Sequence, residues 1–301
     1  MKFEQFVCEL SNEKIEYLEN CPMCRHTTFG IGGAADVFVT PKDSCELARV
    51  ISLAKKYNVP YLVIGNGSNL LVSDMGIEGA VIKVGDWKEI SCDGQTVVCS
   101  AGVKLANLCK YCEECGLTGL EFGYGIPGTV GGALYMNAGA YGGEMKDVVA
   151  SCECINEKGE IVTVLSEDML LGYRTSIFKT NKKVITSVTF KLKKGDKAEI
   201  RAKMDDFMGR RIAKQPLEEK SAGSTFKRPV GNFAGTLIEQ CGLKGFSIGG
   251  AEVSTKHAGF IINKGGATCS DVLRLISHVE QTVSLKTGYA LEPEVIFVGR
   301  K

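Results

Sequence analysis

A chain of 301 residues is long for a single hydrophobic core, and two or three domains are the natural expectation. With 44% hydrophobic and 24% charged residues, the composition is that of an ordinary soluble globular protein. A net charge of +1 excludes a global field that would draw the chain to nucleic acid or to anionic lipid.

The first residues, MKFEQFVCELSNEKIEYL, carry acidic groups where a signal peptide needs a basic stretch followed by an apolar block. They read instead as an amphipathic helix, with Phe3, Phe6, Val7 and Leu10 on one stripe. The longest apolar runs, such as YLVI, are strand-sized and far short of a membrane span, so a cytoplasmic protein is expected. DVFVTP then reads as a strand, DSCELARVISLAKKYNVP as a helix with Leu47, Val50, Ile51 and Ala54 inward, and YLVI and GAVIKV as strands. This α/β unit sets a first segment, residues 1–84. In the second, residues 85–195, TVVCSAG, DVVASCECI, EIVTVLS and KKVITSVTFKLKK read as strands, and the E-K-G at 157–159 marks a hairpin turn. The third, residues 196–301, opens on a polar helical stretch. NFAGTLIEQCGL follows as a short helix and HAGFIIN as a strand. ATCSDVLRLISHVEQTVSLKTG is a long helix opened by a capping pattern at Thr268 and Asp271, and PEVIFVG is the closing strand.

Thirteen cysteines, odd in number and scattered, argue against a disulfide framework. Cys109, Cys112 and Cys115 spell C-x2-C-x2-C, and Cys21 and Cys24 spell C-x2-C. A ferredoxin-like run needs a fourth Cys after three residues and then Pro, whereas positions 119 and 120 are Gly and Leu. KLANLCKYCEECG is therefore expected to be a helix that uses cysteine as a small hydrophobe, with no metal.

Two glycine-rich loops stand out. YLVIGNGSNLL puts Gly65, Asn66, Gly67, Ser68 and Asn69 directly after an apolar strand, where backbone N–H groups can turn towards one point and cradle phosphate oxygens. In EFGYGIPGTVGGALYMNAGAYGG, Gly123, Gly125 and Gly128 match G-x-G-x-x-G, the pattern of a dinucleotide-binding turn. A Rossmann unit needs a strand before that pattern and a helix after it. Only L-E-F precedes Gly123, Pro127 removes a donor, and T-V-G-G-A adds glycines where a helix should gain stability. Asp147 lies at the distance of a ribose-binding acid but belongs to the strand-like segment that follows. Together the loops suit a ligand with a pyrophosphate and large flat rings, and a flavin dinucleotide fits.

Chemistry-bearing candidates are few. The three histidines, at 26, 257 and 278, lack metal-ligand spacing. SAGSTFKRP offers Ser224, Lys227 and Arg228 in a turn; GYRTS offers Tyr173 and Arg174; LEPEVIFV sets Glu294 at the start of an apolar strand. The residues alone leave open a flavin-dependent oxidase or a non-catalytic nucleotide binder.

These stretches, with HTTFGIGGAADVFV, VIGNGSNLLVSD, GIPGTVGGALYMNAGAYG, KQP, AGTLIEQCGLKG and STKHAGFIIN, run in one order from about residue 22 to 299 and resemble the UDP-N-acetylenolpyruvoylglucosamine reductase family. The resemblance implies an α+β fold with a two-lobed FAD-binding region of the vanillyl-alcohol oxidase type, followed by an α+β substrate-binding domain. It implies bound FAD, NADPH as reductant and a UDP-sugar substrate for a monomer with no nucleic-acid or membrane partner. Gly65, Asn66, Gly67, Ser68, Asn69, Leu70, Gly125, Ile126, Pro127, Gly128, Thr129, Gly131, Gly132, Ala138 and Gly139 would hold FAD. Arg174 and Glu294 would flank the enolpyruvyl carboxylate, Ser224 would donate the proton, and Tyr173, Lys214, Lys227 and Arg228 would meet substrate. Two positions depart from the family pattern: Gly30 stands where a basic residue usually precedes I-G-G, and Arg228 follows Lys227 where Asn is common. The tyrosine-bearing insertion of one family branch is absent.

Overall fold

In the computed structural model, which describes residues 2–300, an amphipathic helix opens the chain and a second follows the strands Tyr17–Pro22 and Ala34–Val39. Helix α1 (Lys2–Asn12) buries Phe6 and Leu10 from the predicted stripe. Helix α2 (Ser44–Lys56) starts where the Asp43 carboxylate accepts the Glu46 N–H at 2.8 Å, and buries Leu47, Val50, Ile51 and Ala54 as expected, with Leu53 added. Tyr57 Oη donates to Glu9 across the two helices at 2.8 Å, and Arg49 pairs with Glu13.

By compactness the chain divides into two units. One holds the residues up to Tyr17, Val39–Asn66 and Ala80–Arg210; the other holds Leu18–Phe38, Gly67–Gly79 and the residues from Arg211 on. These limits do not coincide with the expected breaks after residues 84 and 195. The reason lies in side chains that local pattern cannot assign: Phe29, Ile31 and Leu71 are buried in the core built by the C-terminal helices.

In the first unit, Tyr61–Ile64 runs parallel to Ile77–Lys83, with Tyr61 opposite Ala80. A five-stranded antiparallel sheet follows in the order Ile161–Leu165, Val149–Ile155, Val184–Lys191, Thr96–Ser100, Ile90–Asp93. Its first hairpin turns where expected, Gly159 at φ 84° donating to the Asn156 carbonyl at 3.0 Å. Helix α3 (Leu105–Glu114) buries Cys109 and Cys112. Burial pushes the thiol of Cys99, on the neighbouring strand, up to about 12 and raises those of Cys109 and Cys112, so all three are neutral apolar fillers. Among the described residues, no group of three His, Cys, Asp or Glu could hold a metal ion.

Helix α4 (Val130–Tyr135) is a correction to the expectation that T-V-G-G-A resists helix formation. It forms because Thr129 caps it by accepting the Gly132 N–H at 3.3 Å, and because Gly131 donates to the Ala101 carbonyl at 2.9 Å. A Cβ at Gly131 would meet the Ala101 Cβ at 2.8 Å, so close packing sets the residue type. Asp147 is likewise not strand: it ends the 3₁₀ turn Met145–Asp147 and closes a capping box with Glu144. Helix α5 (Lys197–Lys214) is the polar helix expected after residue 196.

In the second unit, a four-stranded antiparallel sheet has the order Lys220–Ser224, Phe260–Asn263, Ala251–Val253, Ser247–Ile248. Helices α6 (Ala234–Gln240) and α7 (Cys269–Thr287) bury Leu237, Ile238, Val272, Leu275 and Val279 in its core. The predicted capping box is present, Thr268 accepting from the Asp271 N–H and Asp271 from the Thr268 N–H. The closing strand Ile296–Val298 runs parallel to Leu70–Val72. Among the described residues no helix is long and apolar enough to cross a membrane.

Candidate functional site

The two glycine loops meet. Asn66 Nδ2 donates to the Pro127 carbonyl at 2.8 Å, and a Cβ on Gly65 would lie 2.3 Å from Thr129 Oγ1, so glycine there admits the second loop. That second loop is laid along residues 101–105: Leu105 N–H donates to Gly128 O, Val130 N–H to Val103 O and Gly131 N–H to Ala101 O, each at 2.9 Å. Residues 65–69 and 125–132 contain no acidic side chain. With no carboxylate to repel an anion, the two loops are compatible with the pyrophosphate of FAD.

Gly67, at φ 61°, packs against the His26 carbonyl, 2.3 Å from where a Cβ would stand, and its own carbonyl accepts the Thr28 N–H at 3.4 Å. Asn69, expected as a cofactor donor, turns its Nδ2 to the Glu294 carbonyl at 3.2 Å, and its carbonyl accepts the Ile296 N–H at 2.9 Å. Gly30, where a basic residue was expected, has φ 66°, and the Lys220 chain covers its open side, Cδ 2.8 Å and Nζ 3.6 Å from an ideal Cβ.

Ala138 and Gly139 follow α4 into a small hairpin, Gly139–Ala140 paired with Gly143–Glu144. Arg174 belongs to the same unit, in a tight turn in which Gly172 and Thr175 exchange N–H···O bonds of 3.1 and 3.2 Å. Its Nη2 donates to the Gly139 carbonyl at 3.3 Å, and Tyr173, half exposed, lies 5.3 Å from its guanidinium. Sequence reading missed Asn137, which is fully buried at φ 42°. Its Nδ2 donates to Glu144 Oε2 at 2.7 Å and Gly172 O at 2.9 Å, and its Oδ1 accepts the Lys146 N–H at 2.9 Å. The available signal was a lone Asn among glycines, a residue type that tolerates the left-handed region.

In the second unit Ser224 and Glu294 are brought together. Ser224 is not in a free turn but ends the strand Lys220–Ser224 opposite Phe260, after a register shift at Gly223, which has φ 78°. Thr225 N–H donates to the Gly259 carbonyl and Glu294 N–H to the Thr225 carbonyl, both at 2.8 Å. Glu294 therefore lies one residue from Ser224 across a backbone ladder, and is half-buried, two residues before the strand Ile296–Val298 begins. The Ser224 Oγ donates to the Phe226 carbonyl at a long 3.3 Å.

Of the substrate candidates, Lys227 pairs with Glu292, Arg228 lies 4.4 Å over the Phe233 ring, and Lys214 is exposed at the end of α5. Lys214 adds its charge to that of Lys244 beside His257, whose pKa is lowered first by burial. The His257 Nδ1 accepts the Gly259 N–H at 3.1 Å, which places the neutral ring's proton on Nε2.

Comparison with known proteins matches both halves of this description. Residues 35–165 match the family model described as an FAD binding domain, and residues 215–298 match that described as the UDP-N-acetylenolpyruvoylglucosamine reductase C-terminal domain. A Clostridium perfringens protein with the reductase name is 47% identical over 300 residues, covering 100% of this chain and 98% of the relative. The solved reductase from Thermus caldophilus superposes with a TM-score of 0.81 at 37% identity, covering 94% of this chain and 98% of that one. An alkyldihydroxyacetonephosphate synthase structure is similar at TM-score 0.50 and 18% identity, covering 64% of this chain and 40% of that one, a likeness of fold alone. The fold is thus that of the expected FAD-binding type, followed by an α+β C-terminal domain.

Proposed function

The chain belongs to the UDP-N-acetylenolpyruvoylglucosamine reductase family, and on that premise we propose that it reduces an enolpyruvyl ether of UDP-N-acetylglucosamine to UDP-N-acetylmuramate for peptidoglycan synthesis. The observation that carries this reading is the meeting of the two acid-free glycine loops at Asn66, Pro127, Gly65 and Thr129. Residues 1–84 and 85–195 serve as the two flavin-binding lobes and residues 196–301 as the substrate-binding domain; the matched ranges 35–165 and 215–298 fall on either side of residue 195. Gly65 to Leu70, Gly125 to Thr129, Gly131, Gly132, Ala138 and Gly139 hold the cofactor. When bound there, FAD would supply the redox chemistry: once reduced by NADPH, it would donate the hydride.

Hydride arrival at the terminal carbon of the enol ether leaves an enolate conjugated with a carboxylate. Arg174 stabilises that charge, since a guanidinium stays protonated and presents fixed donors, and losing one such donor typically costs about 3–4 kcal/mol of barrier. Ser224 Oγ delivers the proton to the adjacent carbon; a hydroxyl is a weak acid, but the enolate is a strong base. Glu294 acts protonated or by orienting Arg174, and Tyr173, Lys214, Lys227 and Arg228 bind the nucleotide sugar. The enzyme works as a cytoplasmic monomer, where nucleotide-linked precursors and NADPH are at hand.

The test is a two-stage reaction without oxygen. NADPH should bleach the flavin in wild type and in Ser224→Ala alike, and the enolpyruvyl nucleotide should restore the yellow rapidly in wild type only. Equal return rates would remove Ser224 as the proton donor. A protein that stays colourless after FAD is added would overturn the flavoenzyme reading.

A further inference from the structure

Arg174 has φ 54°, in the left-handed region that a residue with a Cβ avoids, so neighbouring groups must hold it there. The turn supplies one hold: the Thr175 N–H, in the same peptide plane as the Arg174 carbonyl, donates to the Gly172 carbonyl at 3.2 Å. Two side chains from outside the turn add to it. Lys179 Nζ donates to the Arg174 carbonyl at 2.7 Å, a charge-assisted bond to the very plane whose rotation would release the strain. Asn137 Nδ2 donates to the Gly172 carbonyl at 2.9 Å and pins the opposite limb.

Both clamps are themselves anchored. Lys179 ends the 3₁₀ turn Ile177–Lys179, in which Phe178 is buried, and the preceding Ser176 Oγ donates to the Tyr135 carbonyl of α4 at 2.6 Å. Asn137 is fully enclosed, with both polar atoms of its amide engaged. The direction of a guanidinium on a two-residue turn follows from the backbone beneath it.

We infer that Lys179 is a positioning residue for Arg174: its ammonium holds the Arg174 carbonyl, and so the left-handed backbone, in the one orientation that aims the guanidinium at the reacting carboxylate. The proposal rests on the reading of Arg174 as the group that stabilises the developing charge. Its consequence is selective. Only the half-reaction that builds charge on the substrate depends on Arg174, so only that half-reaction depends on Lys179.

The experiment follows flavin absorbance in both half-reactions for wild type, Lys179→Met, Lys179→Arg, Arg174→Ala and the double variant, each loaded with FAD, with a melting temperature recorded for each. Lys179→Met should slow flavin reoxidation by the enolpyruvyl nucleotide by on the order of tenfold to a hundredfold and leave reduction by NADPH unchanged. Lys179→Arg should recover most of the loss, and Lys179→Met should add nothing to Arg174→Ala. Lys179→Gln, shorter and uncharged, replaces Lys179→Met should that variant fail to load flavin. Wild-type reoxidation in Lys179→Met, equal slowing of both half-reactions, or a full additional loss in the double variant would each overturn the positioning role while leaving Arg174 in place. Fast reoxidation in Arg174→Ala would instead overturn the reading of Arg174 itself.

Discussion

The two units place their polar groups by different means. Between residues 137 and 174 of the first, Asn137, Tyr141, Leu170 and Arg174 all take positive φ, a conformation that costs a residue with a Cβ about 1–2 kcal/mol. Side-chain bonds hold this stretch in place, and each can be deleted singly. Beyond residue 182, every positive φ among the described residues belongs to glycine. There the residues around Ser224 are held by main-chain register, with Thr225 bonded to Gly259 on one side and Glu294 on the other. The first arrangement aims a long charged side chain from a short turn, whereas the second fixes a short hydroxyl by fixing its backbone. Substitutions should therefore act locally and separably in the first unit and through backbone pairing in the second.

The sharpest way to break the contrast is Gly65→Ala. Its methyl would stand 2.3 Å from Thr129 Oγ1, and forcing it in should cost about 3 kcal/mol of apoprotein stability and weaken FAD binding in a flavin-fluorescence titration. Thr129→Ala alone removes the α4 cap and should cost about 1 kcal/mol. Combined, the two changes should be less damaging than Gly65→Ala by itself. Additive losses would mean that the glycine loops do not touch at this point.

Thr225→Val probes the second unit. Thr225 is buried, and its Oγ1 accepts the Ile261 N–H at 3.0 Å, a bond that valine removes without changing shape. Leaving that amide without an acceptor should cost about 2 kcal/mol in urea unfolding, and Thr225→Ser should restore it. Full stability in Thr225→Val would show that main-chain register alone suffices.

This difference also explains what could be read from the chain. Strands, the long helices, the Thr268–Asp271 cap and the 157–159 turn were legible because each follows from periodicity or from a few adjacent residues. Ser224, Glu294 and Arg174 are proposed from family motifs alone, since nothing local distinguishes a serine at a strand end from one in a turn. Helix α4 was missed because its glycines are fixed by Ala101 and Thr129 rather than by propensity. Asn137 and Lys179 were missed because their roles exist only once Gly172 and Arg174 are folded beside them. The assignment of Phe29, Ile31 and Leu71 to the C-terminal core is likewise a tertiary fact that no local pattern contains.

The smallest expected effect lies where the second unit does rely on one side chain. Asp271 accepts from the Thr268 N–H at 3.1 Å and the Gly250 N–H at 3.4 Å and pairs with Arg274 at 2.6 Å, and these bonds hold its carboxyl down at about 2. In the unfolded chain the same group titrates near about 3.9. Because the folded value is the lower one, the ionised carboxylate stabilises the fold fully above about pH 4, and its contribution disappears as pH falls through about 2. Asp271→Asn keeps the shape and removes the charge, and should cost about 1 kcal/mol at neutral pH. The gap in melting temperature between wild type and variant should be constant from pH 7 to 5 and close between pH 4 and 2. His257, held below its ordinary pKa by burial, costs the fold stability as pH falls below about 6.5, where the unfolded ring takes up a proton, but it does so in both proteins and cancels in the difference. A gap that stays constant down to pH 2 would mean that the carboxylate titrates alike in folded and unfolded chains, and that α7 is capped by Thr268 without help from the charge.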